Sequence, residues 1–202
     1  MKHIFAGALL LLAHAAGLAA DAPAAPQGQS ASAIFAGGCF WCTEADFEKL
    51  PGVIEAESGY TGGEAKDATY PQVSAGRTKH TEAVRVRYDP AKLSYAQLVD
   101  YFWRTIDPTV KDRQFCDIGS QYRSGIYYQG EAQRDVAQAS KAQLEKQGRF
   151  KQIQTEVLPA GPFHVAEQYH QDYYKKNPVR YKFYRQNCGR DDRLADVWGK
   201  AN

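Results

Sequence analysis

Residues 33–50, AIFAGGCFWCTEADFEKL, decide the fold class. Ala33 to Gly38 is a short apolar run ending in two glycines. Residues 39–50 then switch to helical spacing and stop at Pro51-Gly52, as a strand turning tightly into a helix would. The same alternation continues outward. Residues 53–60, VIEAESGY, read as a strand that runs into a Thr61-Gly62-Gly63 loop. In residues 82–90, EAVRVRYDP, Ala83, Arg85 and Arg87 alternate with Val84, Val86 and Tyr88, which predicts a half-buried strand closed by Asp89-Pro90. Ser94 caps an amphipathic helix over 95–106, which Asp107-Pro108 ends. Residues 124–129 read as a strand, 130–147 as a helix with a solvated charged face, and 153–160 as a last strand. This order predicts an α+β single domain with a ferredoxin-like, split βαβ core. Three long loops, 61–80, 107–123 and 159–178, are expected to carry function.

The chain has 202 residues, 44% of them hydrophobic and 24% charged, an ordinary globular composition. Lys and Arg number 25 against 23 Asp and Glu, and this balance of +2 offers no electrostatic grip on nucleic acid or an acidic membrane. Four cysteines are too few for a disulfide-dense scaffold. Lys2 and His3 precede an uncharged run from Ile4 to Ala20, and small residues (Ala19, Ala20, Ala22) follow: the pattern of a secretory signal peptide over residues 1–20. An uncleaved anchor is the alternative, but the Ala and Gly content makes the run weakly hydrophobic. No Cys near the junction could take a lipid. Export to a bacterial periplasm, an oxidising compartment, is the expectation. Residues 21–32 form a Pro, Ala, Gln and Ser linker, and one domain follows over 33–202.

The sharpest local feature is Gly37-Gly38-Cys39-Phe40-Trp41-Cys42. Its glycines permit a tight turn, and Cys39 falls at the first helical turn, where free N–H groups and the helix dipole are expected to lower a thiol pKa. Cys39 and Cys42 admit three readings: a structural pair or disulfide, a zinc site, or a redox-active nucleophile. Zinc needs four ligands, and Cys116 and Cys188 stand far apart in sequence. No His follows Cys42, which excludes haem attachment. Local chemistry favours a nucleophilic Cys39.

GCFWC (38–42), GYTGG (59–63), TYPQV (69–73), HTEAVRVRYDP (80–90), GSQYRSGIY (119–127) and HQDYYKKNP (170–178) occur in one order. In that order the chain resembles the peptide methionine sulfoxide reductase A family over nearly the whole mature domain. The resemblance implies thiol-dependent reduction of methionine S-sulfoxide, free or in proteins. It implies Cys39 as nucleophile, Phe40 and Trp41 as the wall for the substrate methyl, and Glu82 as the acid for the sulfoxide oxygen. Tyr70 and Tyr122 would be its hydroxyl partners and Asp117 a polar support. It implies no cofactor and no metal, a thioredoxin-like dithiol as reductant, no nucleic-acid partner and no stable membrane association. Taken singly, Glu82 reads equally as a solvated charge, Tyr70 and Tyr122 as packing residues and Asp117 as a turn residue; His80, His164 and His170 read as structural hydrogen-bonders.

Chemistry agrees with the family. A sulfoxide oxygen leaves only when protonated, so thiolate attack needs a proton donor whose pKa an apolar pocket has raised. The resulting sulfenic acid must be resolved by a second thiol. Cys42 lies one helical turn from Cys39, Cys116 adjoins Asp117, and Cys188 sits in a C-terminal tail (180–198) that lacks the glycine-rich character of many relatives. All three remain resolving candidates, with Cys42 preferred. The alternative function is an exported C-x-x-C thiol–disulfide oxidoreductase, which leaves Glu82 and Tyr70 without a task. A disulfide-stabilised binding module is a third reading.

Overall fold

The computed structural model describes residues 30–199. The expected signal peptide and residues 21–29 of the linker lie outside them. The strand β1 (Ala31–Gly37) begins two residues before the expected domain boundary, because Ala31 and Ser32 already pair with Tyr88 and Arg87.

The turn after β1 leads into α1 (Phe40–Phe47), β2 (Val53–Thr61), α2 (Tyr70–Ser74), β3 (Thr81–Tyr88) and α3 (Tyr95–Arg104). A two-residue-per-strand hairpin, β4 (Arg113–Gln114) and β5 (Asp117–Ile118), precedes β6 (Ser124–Tyr128) and α4 (Glu131–Lys146). Then come β7 (Glu156–Pro159), β8 (Phe163–Val165), α5 (Tyr173–Lys176), α6 (Pro178–Asn187) and α7 (Arg190–Trp198). The main sheet has the order β7-β6-β1-β3-β2-β8. β3 lies antiparallel to both β1 and β2. β1 and β2, joined through α1, are therefore parallel strands split by β3, and β6 extends the far side antiparallel to β1. This is the split βαβ arrangement, with β7 added in parallel to β6 through α4.

The core follows from the period-2 pattern of the strands. Ala33 and Phe35 of β1 face the helices while Ile34 and Ala36 face the other side with Ala83 and Tyr127. Phe35 stacks on Phe47 of α1 at 4.9 Å and on Phe102 of α3 at 5.0 Å, so one aromatic column ties both crossover helices to the central strand. Ser94 and Gln97 cap α3 reciprocally: the Ser94 hydroxyl accepts from Gln97 N–H and the Gln97 amide oxygen accepts from Ser94 N–H. Leu98, Val99, Phe102 and Trp103 form its buried stripe.

The three loops are more structured than their composition implied, since α2, the β4–β5 hairpin and β8 with α5 lie within them. The tail is helical, and its Arg190 is buried at 1% exposure, donating to Gly37 O (3.2 Å) and Thr105 O (2.9 Å). No helix among the described residues is long and apolar enough to cross a membrane.

Candidate active site

Gly38, at φ +83°, turns the chain out of β1, and a Cβ there would come within 2.6 Å of the Gln114 Cβ. Cys39 thus becomes the N-terminal flanking residue of α1, with its carbonyl accepting from Cys42 and Thr43 N–H. Its side chain is 7% exposed and opens into a small cavity of about 70 Å3. Phe40, Trp41, Tyr70, Glu82, Asp117, Tyr122 and Tyr184 line the same cavity. All seven residues assigned to catalysis or substrate contact therefore converge, from five separate segments of the chain.

Glu82 sits near the start of β3, 2% exposed, with Oε2 accepting the Phe40 backbone N–H at 3.0 Å. Burial pushes its carboxyl up to about 8; the Phe40 N–H pulls against that, while Asp117 and Cys42 add to it. Glu82 is consequently a protonated acid at neutral pH. Tyr70 is held up at about 12 and Tyr122 higher still, in both cases chiefly by burial. Both phenols remain O–H donors facing the cavity.

The cysteines correct two expectations. Burial, together with Cys42 and the carboxyls of Glu82 and Asp117, raises the Cys39 thiol well above its ordinary value. The helix terminus does not win, because burial penalises the anion more than one helical turn stabilises it. Cys42 is instead lowered from its ordinary value, by the hydrogen bond from the Cys39 thiol and, against burial, by the guanidiniums of Arg190 and Arg185. Cys116 and Cys188, distant in sequence, are bonded to each other with Cα atoms 4.9 Å apart. The four cysteines therefore cannot form one zinc cluster in this state, and Cys42 is the free thiol beside Cys39.

Two participants were missed, Tyr184 and Glu44, while His170 is the structural hydrogen-bonder its sequence reading expected. Tyr184 enters the cavity from α6 and donates to Asp117 Oδ2 at 2.6 Å. His170, 1% exposed, accepts from Trp41 Nε1–H on Nδ1 at 2.9 Å, so its own proton sits on Nε2. Burial lowers it to about 4 and keeps it neutral. It packs between Phe40 (4.9 Å) and Tyr70 (4.3 Å), and Trp41 stacks on Tyr173 at 3.7 Å. Phe40 and Trp41 are thus both held from the 159–178 loop region. Glu44, 1% exposed, accepts from the Ser58 hydroxyl and from Asp172 N–H, locking α1 to β2 and to the start of α5. Tyr184, one of thirteen tyrosines, had no distinguishing local pattern.

Residues 31–202 match the family described as peptide methionine sulfoxide reductase. Peptide methionine sulfoxide reductase MsrA 2 of Caulobacter vibrioides is 47% identical over 191 residues, covering 95% of this chain and 97% of its own. The MsrA of Bacillus licheniformis is 47% identical over 171 residues, 84% and 94% of the two chains. Among solved structures, reduced Mxr1 of Saccharomyces cerevisiae superposes with a TM-score of 0.69 at 32% identity, covering 76% of this chain and 89% of its own. Methionine sulfoxide reductase A of Corynebacterium diphtheriae gives 0.67 at 36% identity, covering 76% and 77%. A family match over residues 31–202 and relatives 47% identical over nearly their whole length show that this chain belongs to the peptide methionine sulfoxide reductase family and is a thiol-dependent reductase of methionine S-sulfoxide.

Proposed function

We propose that Cys39 is the nucleophile, Glu82 the general acid and Cys42 the resolving thiol of this reductase. The observation that carries the reading is the Glu82 carboxyl, buried in the Cys39 cavity and protonated up to about pH 8. The methyl group of the sulfoxide rests on Phe40 and Trp41, and its oxygen takes hydrogen bonds from Tyr70 and Tyr122. As Cys39 sulfur attacks, Glu82 gives its proton to that oxygen, and the Cys39 proton passes to the Cys42 thiolate. The adduct collapses with transfer of hydroxyl to sulfur, leaving methionine and a Cys39 sulfenic acid. Cys42–SH then attacks that sulfenic acid, forming the Cys39–Cys42 disulfide and releasing water. Asp117 stays beside the cavity as a polar support.

An external dithiol of thioredoxin type must reduce that disulfide, since the chain holds no further free thiol among its described residues. Methionine sulfoxide, free or in oxidised proteins, is the proposed substrate, and no cofactor or nucleic acid is needed for this chemistry. The charged pattern at residues 1–22 supports export to a bacterial periplasm, where the work would be repair of oxidative damage.

Turnover with separated epimers of a methyl sulfoxide tests the assignment. The wild type should consume the S epimer with dithiol and leave the R epimer. Cys42→Ser should still yield one methionine per chain in a single turnover but stall thereafter with a protein dithiol as reductant. Continued turnover of Cys42→Ser, with a Cys39–Cys188 bridge on mass mapping, would transfer the resolving role. Reduction of protein disulfides without sulfoxide consumption would favour the oxidoreductase alternative.

A further inference from the structure

The same pair of segments is joined at the rim of the cavity by one covalent bond, one side-chain hydrogen bond and a contact of Cys116 N–H with the Cys188 sulfur at 3.2 Å. Cys116 and Asp117 are neighbours on the β4–β5 hairpin. Tyr184 and Cys188 lie one turn apart at the end of α6, where Cys188 N–H donates to Tyr184 O at 2.9 Å. The side-chain hydrogen bond is the Tyr184 hydroxyl on Asp117 Oδ2, at 2.6 Å. The covalent bond is Cys116–Cys188.

Little within the hairpin holds its shape beyond Gly119 N–H on Asp112 O (2.9 Å) and the Arg113 guanidinium on Phe115 O (2.7 Å). It has two residues per strand, and both Asp112 (φ +49°) and Phe115 (φ +53°) occupy the left-handed region that non-glycine residues avoid. Its other anchors sit at Gln114, whose amide meets the Asp107 backbone at 2.9 and 2.8 Å, and at Phe115, whose ring lies 4.4 Å from the Arg190 guanidinium. Gln114 is the ladder partner of Asp117, so its anchor sets the Asp117 backbone, while the Asp117 carboxylate is held from α6 by Tyr184. The thiols of Cys39 and Cys42 are buried, whereas Cys116 is exposed, so a dithiol in solution can reach the Cys116–Cys188 bond without entering the cavity.

We propose that Cys116–Cys188 is a positioning bond for the reductase step: it holds Tyr184, and through it Asp117, at the wall of the Cys39 cavity, and it does not itself turn over. The proposal rests on Cys42 being the resolving thiol. Opening the bond takes two electrons and two protons from an external dithiol, which becomes a disulfide while Cys116 and Cys188 become thiols. The bond closes by the reverse exchange with a disulfide acceptor. Once open, the Tyr184 hydrogen bond and the contact of Cys116 N–H with the Cys188 sulfur (3.2 Å) are what remain between a strained hairpin and the helix end.

Single turnover without reductant, begun with Cys39 and Cys42 as thiols and Cys116–Cys188 bonded, isolates the effect. Cys116→Ser/Cys188→Ser should still form one methionine per chain and a Cys39–Cys42 disulfide, but roughly 10-fold more slowly, as misplacement of a site wall does. Tyr184→Phe should slow the step similarly, and the triple variant should be no slower than either, because all three changes release the same contact.

The alkaline limb of the rate is a readout that a merely structural loss leaves in place. Glu82 faces the Phe40 N–H and the Cys39 and Cys42 thiols from α1, Tyr70 from α2, Tyr122 from the turn before β6, Tyr60 from β2, and Asp117 from the hairpin. Tyr184 of α6, which lines the same cavity, and Asp117 are the groups released, and loss of the Asp117 charge beside Glu82 should move the limb to lower pH. A wild-type rate in the cysteine double variant, or multiplied losses in the triple variant, overturns the proposal. So does failure of the double variant to turn over repeatedly while its first turnover is normal, which would make the bond an electron relay. Failure of Cys42 as resolver shows up separately, as absence of the Cys39–Cys42 disulfide in the wild type. Should the double variant misfold, Tyr184→Phe alone decides: it keeps all four cysteines, and an unaltered rate and limb would sink the idea.

Discussion

Glu82 and Cys39 are buried around one cavity, and burial serves them differently. For the carboxyl it is an advantage, because a proton retained up to about pH 8 can be given to a sulfoxide oxygen. For the thiol it is a cost, met by the neighbouring Cys42, whose lower pKa lets it receive the Cys39 proton. The reductase step should therefore fall as pH rises through about 8, where Glu82 deprotonates. Glu82→Gln retains shape but has no proton to give, so single-turnover reduction should slow by about 10²–10⁴ and lose that alkaline limb. Substrate affinity should hardly change. A mutant rate within threefold of wild type, measured by quenched flow, would remove Glu82 from the mechanism. The same raised pKa bears on stability: it is above the unfolded value, so the contribution is full below about 4.5 and is lost as pH rises through about 8.

At the scale of elements, the junction of β1 with α1 sets where Cys39 points. Gly38→Ala should cost about 1–2 kcal/mol from its positive φ alone. The added Cβ at 2.6 Å from the Gln114 Cβ should displace Cys39 as well. Gly148, also at positive φ (+66°) but with nothing within 4 Å of an added Cβ, should show only the backbone cost. Urea unfolding of the two variants, set beside their single-turnover rates, checks this: Gly38→Ala should lose both stability and rate, Gly148→Ala stability alone. This junction was legible in the sequence, because Gly37-Gly38 between an apolar run and helical spacing admits few geometries. Glu82, Tyr70 and Asp117 were legible only through the motif order, since nothing local separates a buried acid from a solvated one at a strand start. Tyr184 and the Cys116–Cys188 bond depend on how α6 docks against the hairpin, a contact across 72 residues that no local pattern encodes. The low Cys42 pKa likewise depends on Arg185 and Arg190, which reach α1 only after the tail folds back. The pKa expected for Cys39 failed for the complementary reason: the helix dipole is visible in sequence and the depth of burial is not.

For the whole molecule, one compositional fact bears on working among oxidants. The single methionine is Met1, so residues 2–202 contain none. An enzyme that repairs methionine sulfoxide through a 70 Å3 aromatic cavity would be harmed by sulfoxides in its own core, where a polar, chiral side chain replaces a flexible apolar one. The core here uses Phe35, Phe40, Phe47, Phe102 and Trp103 where methionine could have filled space. Mild peroxide should therefore act on the folded chain through thiols. Its reachable targets are Cys39, at the cavity, and Cys42 behind it, because Cys116 and Cys188 are already bonded. Treatment at low peroxide should yield a Cys39 sulfenic acid and then the Cys39–Cys42 disulfide, with full recovery of activity on adding dithiol. Cys42→Ser, lacking the partner that traps the sulfenic acid, should pass on to the irreversible sulfinic and sulfonic acids at the same dose. Activity regained and intact mass after dithiol are the measurements. Permanent inactivation of the wild type with all cysteines recovered as thiols would place the damage elsewhere, on tryptophan or tyrosine, and remove any protective meaning from the missing methionines.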